Sequence, residues 1–241
     1  MGQSLGEATT TDHEARSLVA QACTVLASAG QSDLIWGHAS VRDREGRGAW
    51  MKAPGWGLEE VHGDRVLLVD ANGEVVAGDG PRHIECFIHT EVLAARPDVE
   101  CVVHTHAAAA TSFSALGVPL RPVSHEGTLF VPPDLARFSG TSGLIRTPAL
   151  GAKVACELGG RNVLLLPGHG VVVVGRDVAT AVVTAVLLDR ACRMQLDLEA
   201  AGGARVWTSD EEALEKRLTC WAPTQIEAAW RYLVRRAAGG T

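Results

Sequence analysis

Two histidines one residue apart close the apolar run CVVHTHAAAA at residues 101–110, and a third stands between glycines in LLLPGHGVVVVG. On an extended strand residues i and i+2 share a face, so His104 and His106 project together while Thr105 turns away, and two imidazoles can share one ion. Such a pair also occurs as ordinary polar residues at a strand mouth. His169 is the candidate third ligand, because Gly168 and Gly170 allow a tight turn and leave its ring uncrowded; a plain turn histidine is the competing account. Three neutral imidazoles with an open position suit a divalent transition ion acting as a Lewis acid. Cys101, three residues before His104, falls on the opposite strand face. Such an ion needs a proton carrier beside it. Glu85, in GPRHIECFIHTEVL, opens a helix whose Ile84, Phe87, Ile88 and Val92 share an inward face, with His89 and no firm cation at i+4. An exposed carboxylate favoured by the helix dipole would look the same in sequence.

These residues need elements to hold them. Residues 13–29 have helical apolar spacing, closed by Gly30. HASVRD and GAWMKA flank a turn-rich stretch, and RVLLVD followed by Asn72-Gly73 and EVVAG carries a hairpin signal. Residues 84–95 read as a helix ended by Arg96-Pro97, VECVVHTH as a buried strand, and 107–116 as an alanine-rich helix. After a proline-rich connection come a helix near 149–158, strands NVLLLP and VVVVG around the Gly-His-Gly turn, a long helix over 177–201 and a last one over 224–238. Hairpins in place of regular βαβ repeats predict an α/β/α layer fold around a largely antiparallel sheet, built as one domain over residues 1–241.

Composition narrows the function classes. Hydrophobic residues make up 46% and charged residues 21% of 241, the balance of a folding globular chain. The net charge of −6 and scattered basic residues argue against nucleic acid as a partner. Cysteines 23, 86, 101, 156, 192 and 220 lack CxxC spacing, which favours reduced thiols. The opening MGQSLGEATTTDH has neither the basic nor the apolar region of a secretory signal, and Gly6 breaks the myristoylation pattern. No run reaches the length of a membrane helix, so a cytoplasmic protein without membrane contact is expected.

An acidic residue opening a helix, then ARPDVECVVHTHAAAATSFSALG, then LLLPGHGVVVVG: this order resembles the class II aldolase/adducin family over residues 14 to 202. The resemblance implies an α/β/α sandwich assembling as a homotetramer, with sites between subunits. It implies His104, His106 and His169 as metal ligands, and Glu85 as a catalytic acid/base that also touches the ion before substrate binds. The ion expected is zinc, with manganese, cobalt and iron as alternatives that three imidazoles also hold.

Two departures bear on substrate. Where family aldolases acting on sugar phosphates carry Gly-Asn, a Thr-Pro-Ser-Gly-like loop and a Ser-Ser pair, this chain has Gly37-His38, Ala53-Pro54-Gly55-Trp56 and Arg82-His83-Ile84. A phosphate dianion wants several N–H or O–H donors in a small nest, and these stretches supply few. A flat anionic ring suits them better, with Trp56 as an aromatic wall and His38, Arg82 and His83 meeting a carboxylate or phenolic oxygen. The combination resembles the family's decarboxylase branch, acting on hydroxylated aromatic acids such as dihydroxyphthalates. In that comparison His125, in RPVSHEGTLF, occupies the region of a proton-donating tyrosine contributed by an adjacent subunit, and Tyr232 lies where some members close the site. The function expected is a metal-dependent carbon–carbon lyase, a decarboxylase. Its rivals are a sugar or sugar-phosphate aldolase, a non-haem iron oxygenase and a non-catalytic adducin-like scaffold, which usually loses the metal histidines retained here.

Overall fold

A computed structural model describes residues 10–239. The expectations placed on residues 1–9, no secretory signal and no myristoylation, lie outside that range. Helix α1 (Thr10–Ser28) leads into strands β1 (His38–Arg42) and β2 (Ala49–Lys52), two 3-10 turns (Leu58–Glu60 and Gly63–Arg65), β3 (Val66–Val69) and β4 (Val75–Ala77). Then follow α2 (Cys86–Ala95), β5 (Cys101–Thr105), α3 (Ala108–Leu116), α4 (Gly127–Phe130), β6 (Ala136–Arg137), α5 (Pro148–Leu158), β7 (Val163–Leu166), β8 (Gly170–Gly175), α6 (Val178–Ala200), α7 (Asp210–Thr219) and α8 (Pro223–Ala237).

All eight strands form one sheet in the order β4-β3-β2-β1-β5-β8-β7-β6. Neighbours are antiparallel except β6 and β7. The central strands are covered on both faces, which explains why VVVV and LLL read as continuous apolar runs. Cys101, Val103, Leu165, Val171 and Val173 pack on one face with Val19, Phe113, Val182 and Trp230 of α1, α3, α6 and α8. Val102, Leu164, Leu166, Val172 and Val174 pack on the other with Ile88, Val92, Val154 and Leu158 of α2 and α5. The fold is therefore a three-layer α/β/α sandwich. Each fully buried valine or leucine contributes about 1.5–3 kcal/mol relative to exposure.

Three features of this frame place the site. Alternation along β5 sends Cys101 and Val103 to the α1 side, leaving Val102 and His104 on the α2 side. Antiparallel pairing sets Thr105 opposite Val171, so the end of β5 lies beside the Gly-His-Gly turn that starts β8. It also sets His38 opposite His104 at the end of β1. Helix α2 is pressed against α5 at Gly151, where an added Cβ would meet Phe87 O at 2.3 Å, and this brings the start of α2 over the same sheet end. The residue range expected for that helix is corrected at its start: α2 begins at Cys86, so Ile84 precedes it and is exposed at the cleft.

Candidate metal centre and active site

His104, His106 and His169 each bring one ring nitrogen to within 4.8 Å of the others. Their outward hydrogen bonds decide which nitrogen is available. His104 Nδ1 lies 2.9 Å from Val171 O, and a carbonyl only accepts, so Nδ1 carries the hydrogen and Nε2 keeps its lone pair. His106 Nδ1 donates to Asp33 Oδ2 at 2.7 Å, with the same consequence. Nε2 of His104 and of His106 and both nitrogens of His169 are buried without a hydrogen-bond partner. Buried imidazole lone pairs facing one another are costly unless something fills the space, and a divalent cation fits that donor set. Gly170 makes the convergence possible, because a Cβ there would stand 2.7 Å from His106 Cδ2 and 3.4 Å from His104 Cε1.

Glu85 is the N-cap residue of α2, yet its side chain does not cap the helix. The carboxylate turns inward instead, where Oε1 accepts the Ile145 N–H at 2.8 Å and lies 3.5 Å from His169 Nε2. Oε2 is 3.8 Å from His104 Nε2 and 4.0 Å from His38 Nε2. Burial works against its ionisation, but the pairing with His169, the nearby His104 and the Ile145 N–H outweigh it and lower the carboxyl to about 2. Burial is likewise the main force pushing His38 and His104 well below the ordinary imidazole range. It lowers His83 to about 4 and His89 to about 3. His83 Nδ1 accepts the Glu85 N–H at 3.3 Å, which leaves Nε2–H as that ring's donor.

A cleft of about 630 Å³ opens onto this cluster. It is lined by Glu85, His106 and His169 of the cluster, by Asp33, Arg82 and His83, and by apolar walls that include Ile35, Trp36, Ile84 and Leu144. No serine, threonine, asparagine or lysine side chain is among the residues lining it. Lys52, fully buried on β2, donates to Ile35 O at 2.9 Å and so anchors the wall segment. The structure brings Arg82, His83, Glu85, His106 and His169 together at the cleft. It does not bring Trp56 there: Arg65 stacks over its ring at 3.6 Å, beyond the left-handed turn at Gly55 (φ +84°), and Trp36 forms the aromatic wall instead. His38 is fully buried beneath Glu85 and does not line the cleft. His125 is exposed against Trp221, ring centroids 4.6 Å apart, and Tyr232 is exposed on α8; neither lines the cleft of its own chain.

Residues 17–196 match the family described as Class II Aldolase and Adducin N-terminal domain. The chain belongs to the class II aldolase/adducin family. Within it, a 3,4-dihydroxyphthalate decarboxylase of Terrabacter sp. (strain DBF63) is 33% identical over 236 residues, covering 92% of this chain and 96% of that one. A solved aldolase II superfamily protein from Pseudomonas syringae superposes with a TM-score of 0.84 at 25% identity, covering 95% and 94% of the two chains. L-fuculose 1-phosphate aldolase from Glaciozyma antarctica PI12 gives 0.83 at 21% identity, covering 99% and 95%, a likeness of fold alone. Relatives within the family carry different activities in their names: decarboxylase for the Terrabacter protein, and 4-hydroxy-3-prenylphenylpyruvate oxygenase/4-hydroxy-3-prenylbenzoate synthase for a Streptomyces roseochromogenus subsp. oscitans protein that is 37% identical over 141 residues, covering 58% of this chain and 50% of that one. No helix among the described residues is long and apolar enough to cross a membrane.

Four residues of this aldolase-family site escaped sequence reasoning. Asp33 and Trp36 lie in the loop between α1 and β1, where no periodicity points anywhere. His89 and Ser40 did carry a signal: Glu85 and His89 are i and i+4 on α2, and His38 and Ser40 are i and i+2 on β1. The two pairs meet, with His38 Nδ1 2.6 Å from His89 Nε2 and His89 Nδ1 2.6 Å from Ser40 Oγ.

Proposed function

We propose that this chain is a metal-dependent lyase that decarboxylates a hydroxylated aromatic acid of the dihydroxyphthalate type. The observation that carries the reading is the cleft itself: two of the three clustered imidazoles and an ionised, buried carboxylate line it, with His104 buried behind them, and its other lining residues are mainly apolar, with Arg82 and His83 Nε2–H as donors. A planar, dianionic ring matches those walls and those two donors; a phosphate would find no hydroxyl or amide side chain there. The name of the Terrabacter relative supports the same substrate class.

His104, His106 and His169 would hold the ion, for which zinc is proposed, since neutral imidazoles with an open position suit it. When bound it supplies Lewis-acid stabilisation of the negative charge left by carbon–carbon cleavage. The rest falls to the chain. Arg82 and His83 orient one substrate carboxylate by charge and by a directed N–H. Trp36, Ile84 and Leu144 hold the ring and exclude water. Glu85, ionised at neutral pH, begins as a base and takes the proton of a ring hydroxyl. It returns that proton to the ring carbon bearing the departing carboxylate, forming the new C–H bond. The C–C bond then breaks, its electron pair restores the aromatic ring, carbon dioxide leaves, and the ring oxygen regains a proton from water. A cytoplasmic homotetramer in which His125 from a neighbouring copy serves as a second proton carrier, with Tyr232 near the closing segment, is part of the same proposal.

The test is metal analysis of the purified protein, followed by carbon dioxide release over a panel of hydroxybenzoates and hydroxyphthalates, with and without oxygen. Release from an ortho-hydroxylated acid in both atmospheres is expected. Aldehyde release from a sugar phosphate, a strict need for oxygen, or a metal-free inactive protein would replace the reading with the aldolase, the oxygenase or the scaffold respectively.

A further inference from the structure

We propose that Ser40 and His89 are positioning residues that fix the tautomer of His38, so that its Nε2–H is presented to Glu85; this rests on Glu85 being the proton carrier. The three side chains form an unbroken line of two 2.6 Å contacts, Ser40 Oγ to His89 Nδ1 and His89 Nε2 to His38 Nδ1. All three are fully buried. The line ends at His38 Nε2, which has no hydrogen-bond partner and lies 4.0 Å from Glu85 Oε2.

Hydrogens can run along this line in two directions. In one, His38 Nδ1–H donates to His89, and His89 Nδ1–H donates to Ser40. The Ser40 hydroxyl hydrogen then has no acceptor among the described residues, and a His38 lone pair faces the Glu85 carboxylate. In the other, Ser40 O–H donates to His89 Nδ1, His89 Nε2–H donates to His38 Nδ1, and His38 Nε2–H points at Glu85. The Ser40 O–H and the His89 Nε2–H then each have an acceptor at 2.6 Å, and the His38 Nε2–H, beyond hydrogen-bond reach at 4.0 Å, turns the positive end of its dipole toward the Glu85 carboxylate. The second direction is the one the surroundings select. With Oε1 already held by the Ile145 N–H, it sets a positive N–H end 4.0 Å from Oε2 and so favours, electrostatically, the carboxylate orientation that faces the cluster.

The spacing that builds the line is economical. Strand β1 contributes His38 and Ser40 on one face, and α2 contributes His89 with its N-cap residue Glu85 one turn earlier, so one helix-on-strand contact assembles both the carboxylate and its support.

The experiment is nitrogen-15 NMR of the zinc-loaded full chain with labelled histidine, signals assigned through His38→Gln and His89→Gln. Nε2–H tautomers for both rings are expected; Nδ1–H tautomers would overturn the proposal. This readout needs no substrate, so it decides the matter even if the panel of aromatic acids is silent. Where turnover is found, Ser40→Ala should lower kcat roughly 10-fold or more at near-constant KM and full zinc content, and Ser40→Thr, which keeps the hydroxyl, should restore it. His89→Leu should act as Ser40→Ala does, while His89→Gln keeps an N–H for His38 and most of the activity. An unchanged kcat in Ser40→Ala with zinc retained would also overturn it.

Discussion

Replacing Gly170 by alanine puts one methyl into the seam where β5 and β8 meet, and its cost can be worked from the contacts. The new Cβ would lie 2.6 Å from Thr105 O and 2.7 Å from His106 Cδ2. Non-bonded carbons settle near 3.5 Å or beyond, so something must move by roughly 0.8 Å. Thr105 O is backbone in a paired strand, which leaves the His106 ring or the last β5–β8 pair to yield. Overpacking of this kind costs about 1–3 kcal/mol. His106 is tied to Asp33 on its far side, so it cannot retreat freely, and the strain falls on the three-imidazole cluster. At about 1.4 kcal/mol per decade, zinc affinity should fall roughly 10- to 100-fold.

Gly168 is the control. It takes φ +74°, and an added Cβ would touch only Ser142 Cβ at 3.5 Å. Alanine there carries a backbone cost of about 1 kcal/mol and no collision, and asparagine, which tolerates the left-handed region, should cost less. Zinc titration against a competing chelator, with thermal unfolding of the metal-free protein, separates the two: Gly170→Ala loses affinity, and Gly168→Ala loses stability alone. Zinc binding by Gly170→Ala within twofold of the parent, or equal weakening by both variants, would refute the claim that Gly170 is a glycine for want of space beside the imidazoles.

Three further outcomes are expected. Asp33→Asn removes the anion that orients His106 while keeping the loop's shape; zinc affinity measured against the same chelator should drop about 10- to 100-fold without loss of fold. Trp36→Ala should raise KM for an aromatic acid by roughly 10-fold while Trp56→Ala leaves it nearly unchanged, since only Trp36 lines the cleft. Asp43 accepts from Arg47 and from Trp50 Nε1 at 2.9 Å; burial opposes ionisation, but those bonds lower its carboxyl to about 2. A depressed folded pKa contributes stability that is present above the unfolded value near 3.9 and is lost as pH falls toward 2. The shift corresponds to about 2.5 kcal/mol, trimmed to about 2 because Arg47 is one-third exposed. Denaturant unfolding of Asp43→Asn should therefore trail the parent by that amount at pH 7, with the gap closing between pH 4 and pH 2.

What the sequence made legible follows the strength of its periodic signals. The long apolar runs of β5, β7 and β8 and the helical spacing of α1 and α6 declared themselves, because burial on both faces of a central strand or along a long helix leaves no other composition. Besides the two short 3-10 turns, three elements were not foreseen, and they lack that signal. Helix α4 spans four residues and β6 two, too few to show a period. Helix α7 buries only Ala213 fully, and what starts it is Ser209, whose side chain accepts the Glu212 N–H, together with three acids in the first turn and basic residues in the last.

The site divides along the same line. His104, His106 and His169 were legible because glycine and strand alternation act on the backbone, and the backbone follows from the pattern. Trp56 was placed wrongly because the direction of its ring depends on one left-handed residue, Gly55, and on a cation that stacks over it, neither of which a spacing rule resolves. His38 is the instructive case. It was expected to meet a carboxylate or phenolic oxygen of the substrate, but a strand residue beneath the start of a helix meets what the helix brings, and that is Glu85 and, four residues later, His89. An i, i+2 pair on one element and an i, i+4 pair on another are each weak alone. They gain meaning when helix and strand are packed together, because buried polar side chains must find partners in one another, as Ser40, His89 and His38 do, and the antiparallel register that sets His38 opposite His104 brings that line to the metal cluster.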